Sequence, residues 1–439
     1  MELYCHRGWM LTIRKVKFLN EVQFGDLELD FLNSQTGLPY QNIVFVGDNG
    51  VGKTNLLRFI KEIISSPTRT YIYRYIEYEL SGRVCRFERL PDDAVHNHRY
   101  QLYDAETNTN FMISPLDDDY PVEFRPRSKE IMMSYSNNDH FEQKNDDFSS
   151  VIDRLVNLQN EDSINYAYYN IKHDDAPLRW SEFFQKSKMK TFADSFNAFF
   201  EDMEYFGMGF SDRHEKVIGF TKYGMQINTQ SLSSGEKQII ERTVPILEIM
   251  TEQKDNLLFI DEPEMSLHPK WQEKVHSYFK QLFTDTSGIQ QNQIFMASHS
   301  SAFLKKALMD ETSLVVRLIN HDGRVEAQRI EHPTYLSDVT FAEVNYLVFD
   351  IVSAEYHNQL YCQIQNRYNL SKVKACDEYI YHHQSFISNL HQKISGYGRV
   401  QYNTICSYIR NAIDHFDNGH TYTEDELRCS IQLMQEILR

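Results

Sequence analysis

Hydrophobic positions along the chain follow two different periods, and the period changes where one secondary-structure element is expected to give way to the next. From Met10 to Phe18 apolar and polar residues alternate, which predicts a half-exposed strand. Asp26–Phe31 predicts a second strand, and the apolar run Asn42–Val46 predicts a short buried one. From Asn55 to Ile64 the apolar residues instead recur every three or four positions, so a helix is expected soon after the third strand.

The stretch 66–215 departs from this layout. Tyr71–Tyr78 and Arg83–Leu90 predict strands, Asn137–Asp147 is polar and loop-like, and Leu178–Tyr205 has helical spacing. We interpret the stretch as an insertion, made of antiparallel strands and a helical lobe, between two halves of one domain. The tyrosines of its first strand have the chemistry to stack nucleic-acid bases, although such a stripe more often forms the buried or rim face of a strand.

The last third of the chain becomes helical. Leu314–Ile319 and Val325–Ile330 flank an Asp-Gly pair, which predicts a hairpin. From Phe341 onward we expect strands to cease, and Thr423 and Glu426 fit a capping box. The expected helices are Phe341–Tyr368, Val373–Ile394, Tyr402–His415 and Thr423–Leu438. The pattern thus predicts an α/β domain over residues 1–335 and an all-α domain over 336–439.

Composition narrows the class of protein. The 439 residues carry 45 lysines and arginines against 62 acids, so any binding to nucleic acid must come from a local basic patch. No apolar run approaches the length of a membrane span and no signal-peptide pattern opens the chain, which predicts a soluble, cytoplasmic protein without a membrane partner. The cysteines lack CxxC spacing and are expected to be reduced thiols: Cys5, Cys85, Cys362, Cys376, Cys406 and Cys429.

A phosphate-binding loop lies between the third strand and the helix that follows it. Its glycines let backbone amides surround a phosphate, Lys53 reaches the β- and γ-phosphate oxygens, and Thr54 offers its hydroxyl to Mg²⁺. The loop therefore predicts ATP and Mg²⁺ as cofactors. The expected nucleotide-binding residues are Gly47, Asp48, Asn49, Gly50, Val51, Gly52, Lys53 and Thr54.

Two buried strands end in polar residues that suit the chemistry of the same nucleotide. Leu257–Ile260 runs into Asp261, which is expected to hold Mg²⁺, and Glu262, which is expected to orient or deprotonate the attacking water. A second apolar strand ends at His299, which we expect beside the γ-phosphate.

A second helix start suited to a phosphate lies at Ser233, Ser234 and Gly235. The loop ending at Thr54 already provides a phosphate site for one nucleotide. The second helix start therefore has a phosphate to bind only if it contacts the nucleotide held by another copy of the chain. We therefore expect a homodimer, or a higher even oligomer, with ATP held between protomers.

Taken together, these motifs resemble the SMC-like ABC ATPases, and specifically the compact PtuA-like family of bacterial anti-phage systems (Septu and retron-associated). The resemblance rests on LSSGEKQ, FIDEPEMSLHP and ASHS and covers about residues 10–60 and 225–320. It implies an ABC-type head, with Ser233 contacting the γ-phosphate of the opposite protomer and His299 as switch histidine. Ser234 and Glu236 depart from the signature of transporter heads and favour the SMC-like branch. The family's magnesium-contacting glutamine has no position that we can assign.

The C-terminal domain carries Arg410-Asn-Ala-Ile-Asp-His415, which resembles the RNxxxH motif of HEPN ribonucleases. That resemblance implies metal-free RNA cleavage, with His415 transferring a proton, Arg410 stabilising the phosphorane and Asn411 completing the motif. Alternatively, Arg410 and Asp414 form an ordinary intrahelical ion pair. An inactive HEPN-shaped domain that serves dimerisation or docking is a further alternative.

Three functions follow from these alternatives. The first is an anti-phage, abortive-infection ATPase whose dimer controls nucleic-acid cleavage by its own C-terminal domain. The second is an ATPase that senses or scaffolds for a separate HNH-type nuclease, with the C-terminal helices serving assembly. The third, an SMC-like DNA-repair ATPase, is disfavoured because residues 66–215 lack heptads long enough for an extended coiled coil.

Overall fold

The computed structural model describes residues 11–68, 70, 72–91, 99–113, 131–133, 148–210, 216–249, 257–285, 287–331, 334–397, 400–415 and 419–439. The chain divides into two compact units. The first comprises Met1–Lys306 and Thr312–Gln328, and the second comprises Ala307–Glu311 and Arg329–Arg439.

The first unit contains both strands and helices, and its last strand and last helix extend by a few residues into the second unit. Its strands are β1 (Thr12–Phe18), β2 (Glu28–Asp30), β3 (Asn42–Gly47), β4 (Tyr73–Leu80), β5 (Arg83–Arg89), β6 (Tyr100–Asp104), β7 (Thr109–Ile113), β8 (Ile131–Met133), β9 (Met203–Phe210), β10 (Lys216–Lys222), β11 (Met225–Ile227), β12 (Leu257–Asp261), β13 (Gln293–Ala297), β14 (Ser313–His321) and β15 (Arg324–Ile330). Its helices are α1 (Lys53–Ser65), α2 (Phe148–Lys172), α3 (Trp180–Phe184), α4 (Lys188–Phe199), α5 (Ser234–Ile249), α6 (Pro269–Leu282) and α7 (Ser301–Met309).

The sheet that positions the site has the strand order β15-β14-β3-β13-β12-β8. Strands β14, β3, β13, β12 and β8 run parallel to one another. Their carboxyl ends therefore meet at one edge, where α/β proteins bind ligands. Strand β15 lies beside β14 after a turn in which Asp322 and Gly323 both have positive φ, so the predicted Asp-Gly hairpin is confirmed.

A second, antiparallel sheet has the order β2-β1-β4-β5-β6-β7, and a third has the order β11-β10-β9. Antiparallel strands were predicted in the stretch 66–215, and β4 to β7 confirm them. The tyrosines of β4 are buried, because Tyr73, Tyr75 and Tyr78 are at most 6% exposed. They are not available to stack bases, and Tyr71 lies outside the described residues.

The same stretch contains one strand that was not predicted and one predicted helix that is wrong. Ile131–Met133 was not predicted as a strand, yet it pairs in parallel with β12 and is the edge strand of the mainly parallel sheet. Leu178–Tyr205 is not one helix, because Ser187 caps a new helix at Lys188 and that helix ends at Phe199. Tyr205 lies in β9, which pairs with β10. Asn137–Asp147 lies outside the described residues.

The second unit is mainly helical, which confirms the expected helical C-terminal region. Its apolar core combines residues from five helices, which span most of the unit. The predicted capping box between Thr423 and Glu426 is present. The elements are α8 (Phe341–Phe349), α9 (Ala354–Arg367), α10 (Val373–Tyr381), α11 (Ser388–His391), β16 (Gln392–Tyr397), β17 (Val400–Thr404), α12 (Ile405–Asp414) and α13 (Glu424–Leu438).

The expectation that strands cease after Phe341 is wrong at one place. Residues predicted as the end of one helix and the start of the next form the antiparallel pair β16–β17. Ser395 and Tyr402, which lie opposite each other, are both buried, so one face of the pair packs inward. The buried Asp377 anchors β17, since its carboxylate accepts hydrogen bonds from Asn403 N and Thr404 N.

Each cysteine within the described residues is a free thiol, and Cys5 lies outside them. None of the helices in the described part of the chain combines the length and the apolar character needed to span a membrane.

Candidate functional site

The phosphate loop connects β3, which is buried along its whole length, to α1, which begins at Lys53. Its three glycines have positive φ: 150° at Gly47, 82° at Gly50 and 100° at Gly52. A Cβ atom at Gly47 would lie 2.5 Å from the Leu318 carbonyl oxygen, and one at Gly52 would lie 2.4 Å from Gln23 Nε2. The loop can therefore adopt its path only with glycine at these positions.

Lys53 extends back over the loop that precedes it. Its Nζ donates hydrogen bonds to the carbonyl oxygens of Gly47, at 2.8 Å, and Asp48, at 3.0 Å. Burial lowers the pKa of Lys53, and the nearby carboxylates of Asp261 and Glu262 oppose that shift. The ammonium is thus held at the centre of the loop, where phosphate oxygens would meet it.

Thr54 and Asp261 supply adjacent oxygen atoms. The Thr54 hydroxyl donates a 2.6 Å hydrogen bond to Asp261 Oδ2, and burial raises the pKa of Asp261. Hydroxyl and carboxylate oxygens are ligands that suit Mg²⁺, which usually keeps few protein ligands and completes its shell with phosphates and water. Within the described residues, no group of three or more His, Cys, Asp and Glu side chains could hold a metal ion. Thr54 and Asp261 therefore fit the protein side of a magnesium–nucleotide site.

Glu262 and His299 face each other at the ends of neighbouring strands. His299 Nε2 lies 3.3 Å from Glu262 Oε1, and both side chains are about one-third exposed. Glu262 has a φ of 48°, and its backbone N–H donates to the Ala297 carbonyl oxygen at 2.9 Å. Burial lowers the pKa of His299, and Lys53 lowers it further. The imidazole is consequently neutral near pH 7, and the carboxylate beside it can act on a water molecule.

Lys53, Thr54, Glu262 and His299 line one pocket of about 360 Å³. It also includes Gln23 and Asn55, which our sequence analysis did not select. The Gln23 side chain donates to the Gly50 carbonyl oxygen at 3.4 Å and accepts from Asn55 Nδ2 at 3.0 Å. The lining residues are Gln23, Asn49, Gly50, Gly52, Lys53, Thr54, Asn55, Glu262 and His299.

Gln23 gives no signal in the sequence, because it lies in a turn between β1 and β2 far from any motif. Asn55 could have been found, since it directly follows Thr54 on the first turn of α1.

The second predicted phosphate site, residues 233–235, lies at the beginning of α5 and does not line this pocket. Ser233 and Ser234 are exposed. Ser233 Oγ accepts a 3.4 Å hydrogen bond from Glu236 N, and Glu236 Oε2 accepts one of 2.7 Å from Ser233 N. Glu236 is 2% exposed, and Lys222 Nζ, at 2.7 Å, neutralises it. The serine hydroxyls thus lie at the surface on a firmly capped helix.

Gly235 is buried against α6. A Cβ atom at this position would lie 2.7 Å from Cζ3 of Trp271. The glycine of the LSSGE sequence is therefore required by packing within the chain.

The C-terminal motif lies at the end of α12. Arg410 forms a 2.8 Å ion pair with Asp414 Oδ2 and donates to Asn411 Oδ1 at 3.1 Å. Asn411 is 2% exposed, whereas His415 follows the last helical residue and is half-buried. Arg410 and Asn411 contact each other through their side chains, whereas His415 is linked to Asn411 by a backbone hydrogen bond of 3.1 Å, from His415 N to the Asn411 carbonyl oxygen. The structure also contains the ion pair that the alternative interpretation expects.

Comparison with known proteins gives a family match and one curated relative. Residues 43–305 match the family described as "AAA domain, putative AbiEii toxin, Type IV TA system". The Septu protein PtuA of Bacillus thuringiensis is 24% identical over 341 residues, which are 74% of this chain and 81% of that protein.

Solved structures of SMC heads also align with the chain. The SMC head domain from Thermotoga maritima has 15% identity and a TM-score of 0.38, covering 73% of this chain and 99% of that one. The SmcHead bound to the C-winged helix domain of ScpA has 12% identity and a TM-score of 0.42, covering 73% and 98%.

Proposed function

This chain belongs to the AAA-domain family described as putative AbiEii toxin of type IV TA systems, and from that premise we propose that it is the ATPase of a bacterial anti-phage defence system. The observation that carries the ATPase assignment is the single pocket where Lys53, Thr54, Glu262 and His299 meet. The defence assignment is supported by the similarity to a Septu protein. We assign the ATPase to residues 1–335 and a separate helical domain to residues 336–439.

Each pocket residue has a distinct role in this proposal. The loop amides and Lys53 would bind the phosphates, while Thr54 and Asp261 would hold a Mg²⁺ ion, which would neutralise charge on the phosphate oxygens. Glu262 accepts a proton from the attacking water, because its carboxylate lines the pocket. The neutral imidazole of His299 donates from Nε2 to Glu262 or to the γ-phosphate, depending on which of them is closer.

The exposed Ser233 and Ser234 support a head-to-tail dimer. They lie at a capped helix start with a favourable dipole for phosphate, yet they do not line the pocket of their own chain. In a dimer, each protomer's α5 would complete the partner's pocket. The proposed assembly is therefore a homodimer, or a higher even oligomer, that closes around ATP in the cytoplasm.

What the dimer controls is a nuclease. We propose that this nuclease is a separate subunit of the HNH type, as the resemblance to the Septu and retron-associated family implies, with the C-terminal helices serving assembly. A ribonuclease within the chain is the second candidate, and the sequence from Arg410 to His415, on α12 and directly after it, favours it.

The ATPase proposal is tested by two substitutions with different expected results. Lys53→Ala should abolish ATP binding, because Lys53 holds the ground-state phosphates. Glu262→Gln should bind ATP normally yet lower kcat by about 100-fold or more, because Glu262 acts only on the attacking water. Turnover by Glu262→Gln at the wild-type rate would overturn the assignment.

A further inference from the structure

A buried carboxylate, Glu264, connects the turn after β12 with the end of β13 that carries His299. Its Oε1 accepts hydrogen bonds from Ser298 Oγ at 2.6 Å, His299 N at 3.1 Å and Ser300 N at 3.2 Å. The residue is 5% exposed. A single oxygen atom in the turn after β12 therefore holds three successive residues that follow β13.

The three donors belong to the segment that sets the direction of the His299 side chain. Ser300 caps α7, since its hydroxyl accepts from Phe303 N at 3.2 Å, and it also donates to Gln272 Oε1 at 2.6 Å. The first amides of a helix lack partners within the helix, so an oxygen atom that accepts from the residues at its start stabilises it. Glu264 thus fixes both the start of α7 and the backbone of His299.

The turn that carries Glu264 is itself held in place. The fully buried Arg242 donates to the carbonyl oxygens of Pro263 and Met265, on either side of Glu264. Glu262, two residues before Glu264, is bonded to Ala297 through its backbone. Hydrogen bonds from Glu262 and to Glu264 therefore join the end of β12, next to Glu262, to the end of β13, next to His299.

The second oxygen of Glu264 suggests that more than packing is involved. Oε2 is buried and has no hydrogen-bond partner among the described residues. A buried acceptor without a partner costs about 1–3 kcal/mol, and a smaller polar residue would avoid that cost. Glu264 thus keeps its three hydrogen bonds at Oε1 even though its buried Oε2 lacks a partner among the described residues.

We propose that Glu264 is a positioning residue for the ATPase reaction, which keeps His299 Nε2 beside Glu262 and the γ-phosphate. This role rests on the proposed ATPase function. Glu264 does not line the pocket, so its effect is transmitted through the backbone of His299.

The variant that tests the role is Glu264→Gln, and the chain offers a matched control. Glu343, in the second unit, is also buried and also accepts from two backbone amides and one hydroxyl, those of Tyr335, Leu336 and Thr334. Glu343→Gln therefore perturbs a similar buried carboxylate that does not line the pocket. Both variants are compared with His299→Ala and with the double variant Glu264→Gln/His299→Ala, by ATP affinity, kcat, KM and thermal midpoint.

Positioning predicts that Glu264→Gln lowers kcat by about 10-fold while ATP affinity changes by less than about 3-fold. The Glu343→Gln protein should lose a similar amount of thermal stability and keep wild-type kcat. In the double variant the two effects should not multiply, because Glu264 acts through His299. Multiplying effects, or equal losses of kcat in Glu264→Gln and Glu343→Gln, would overturn the role.

A readout that does not need turnover completes the test. The His299 ring signal, assigned in a ¹H–¹³C NMR spectrum by its loss in His299→Ala, should shift in Glu264→Gln and stay in place in Glu343→Gln. An unshifted signal would overturn the positioning role while leaving the ATPase proposal intact. Absence of ATPase in the wild-type protein would instead remove the proposed function and the role that depends on it.

Discussion

The hydroxyl of Thr54 donates a 2.6 Å hydrogen bond to Asp261 Oδ2, although the two residues are 207 positions apart in the chain. Thr54 lies in the first turn of α1 and Asp261 ends β12, so the bond joins the helix that follows the phosphate loop to the strand that precedes Glu262. In the proposed site, both oxygen atoms would be oriented for one magnesium ion.

Thr54→Val should raise the Mg²⁺ concentration needed for ATP turnover by about 10- to 100-fold, because it removes one oxygen and leaves the other without its orienting donor. Turnover measured against Mg²⁺ concentration checks this. The control is Thr70→Val, which deletes a hydroxyl bonded to the Ser66 carbonyl oxygen away from the pocket. Equal Mg²⁺ dependence in Thr54→Val and wild type would contradict the assignment.

A mixture of Lys53→Ala and Ser233→Arg proteins should regain ATPase that neither has alone. In a head-to-tail dimer of the two, one composite site combines an intact phosphate loop with an intact Ser233 from the other protomer. ATPase rate is measured as a function of mixing ratio and is expected to peak near equal amounts. Wild-type turnover by Ser233→Arg alone would exclude the shared site.

Gly235→Ala should destabilise the first unit even though alanine favours helices. The propensity gain is at most about 1 kcal/mol. Against it stands the overlap of the new Cβ with Trp271 at 2.7 Å, and overpacking costs about 1–3 kcal/mol. Urea unfolding should show a net loss, and Gly396→Ala, whose nearest neighbour would be 3.9 Å away, should show none. An equally stable Gly235→Ala protein would mean that Trp271 moves aside freely.

His415→Ala should abolish RNA cleavage and toxicity and leave ATPase unchanged, if the C-terminal motif is a ribonuclease. Cleavage by the wild-type protein should then survive EDTA once ATP-dependent steps are bypassed. If Arg410 and Asp414 are only an ion pair, their loss should cost under about 1 kcal/mol and leave activity unaltered. A purified protein that cuts no RNA, together with full phage protection by a His415→Ala strain, would leave the separate nuclease as the explanation.

Acidification should loosen the second unit through His357. Burial lowers the pKa of this histidine from 6.5 to about 4, and its Nε2 lies 2.9 Å from Ser430 Oγ. Between these two pH values the unfolded chain binds a proton that the folded chain excludes. Stability is therefore complete above pH 6.5 and declines by about 3 kcal/mol as the pH falls towards 4.

Hydrogen–deuterium exchange of α9 and α13, corrected for intrinsic rates, measures this decline. His357→Gln should flatten the pH dependence, whereas substitution of the exposed His382 should leave it as it is. An unchanged pH dependence in His357→Gln would refute the linkage.

The parts of the site that the sequence predicted are those in which local pattern and chemistry coincide. Lys53 and Thr54 follow a buried strand within a glycine-rich loop, and Asp261 and Glu262 end another. Each of these signals fits within a few residues, so no knowledge of distant contacts was required to place them on a strand end or a helix start.

The missing parts depend on contacts between distant segments. Gln23 reaches the pocket only because the turn between β1 and β2 lies against the phosphate loop. The role of Glu264 depends on hydrogen bonds from the residues that follow β13, which lie 34 to 36 positions further along the chain. Strand β8 and the pair β16–β17 are short, and helical or loop-like spacing over so few residues does not distinguish them from their surroundings.

The strand order has a consequence for the protein as it leaves the ribosome. Strand β3 pairs with β13 and β14, so Asn42 finds its neighbours at Ile294 and Ser313. At about 5–20 residues per second, roughly a quarter of a minute to a minute separates synthesis of the phosphate loop from synthesis of the strands beside it. Throughout that interval the apolar β3 lacks both partners. Because a ligand stabilises only a state that can bind it, ATP cannot protect the growing chain until these late strands have joined the sheet.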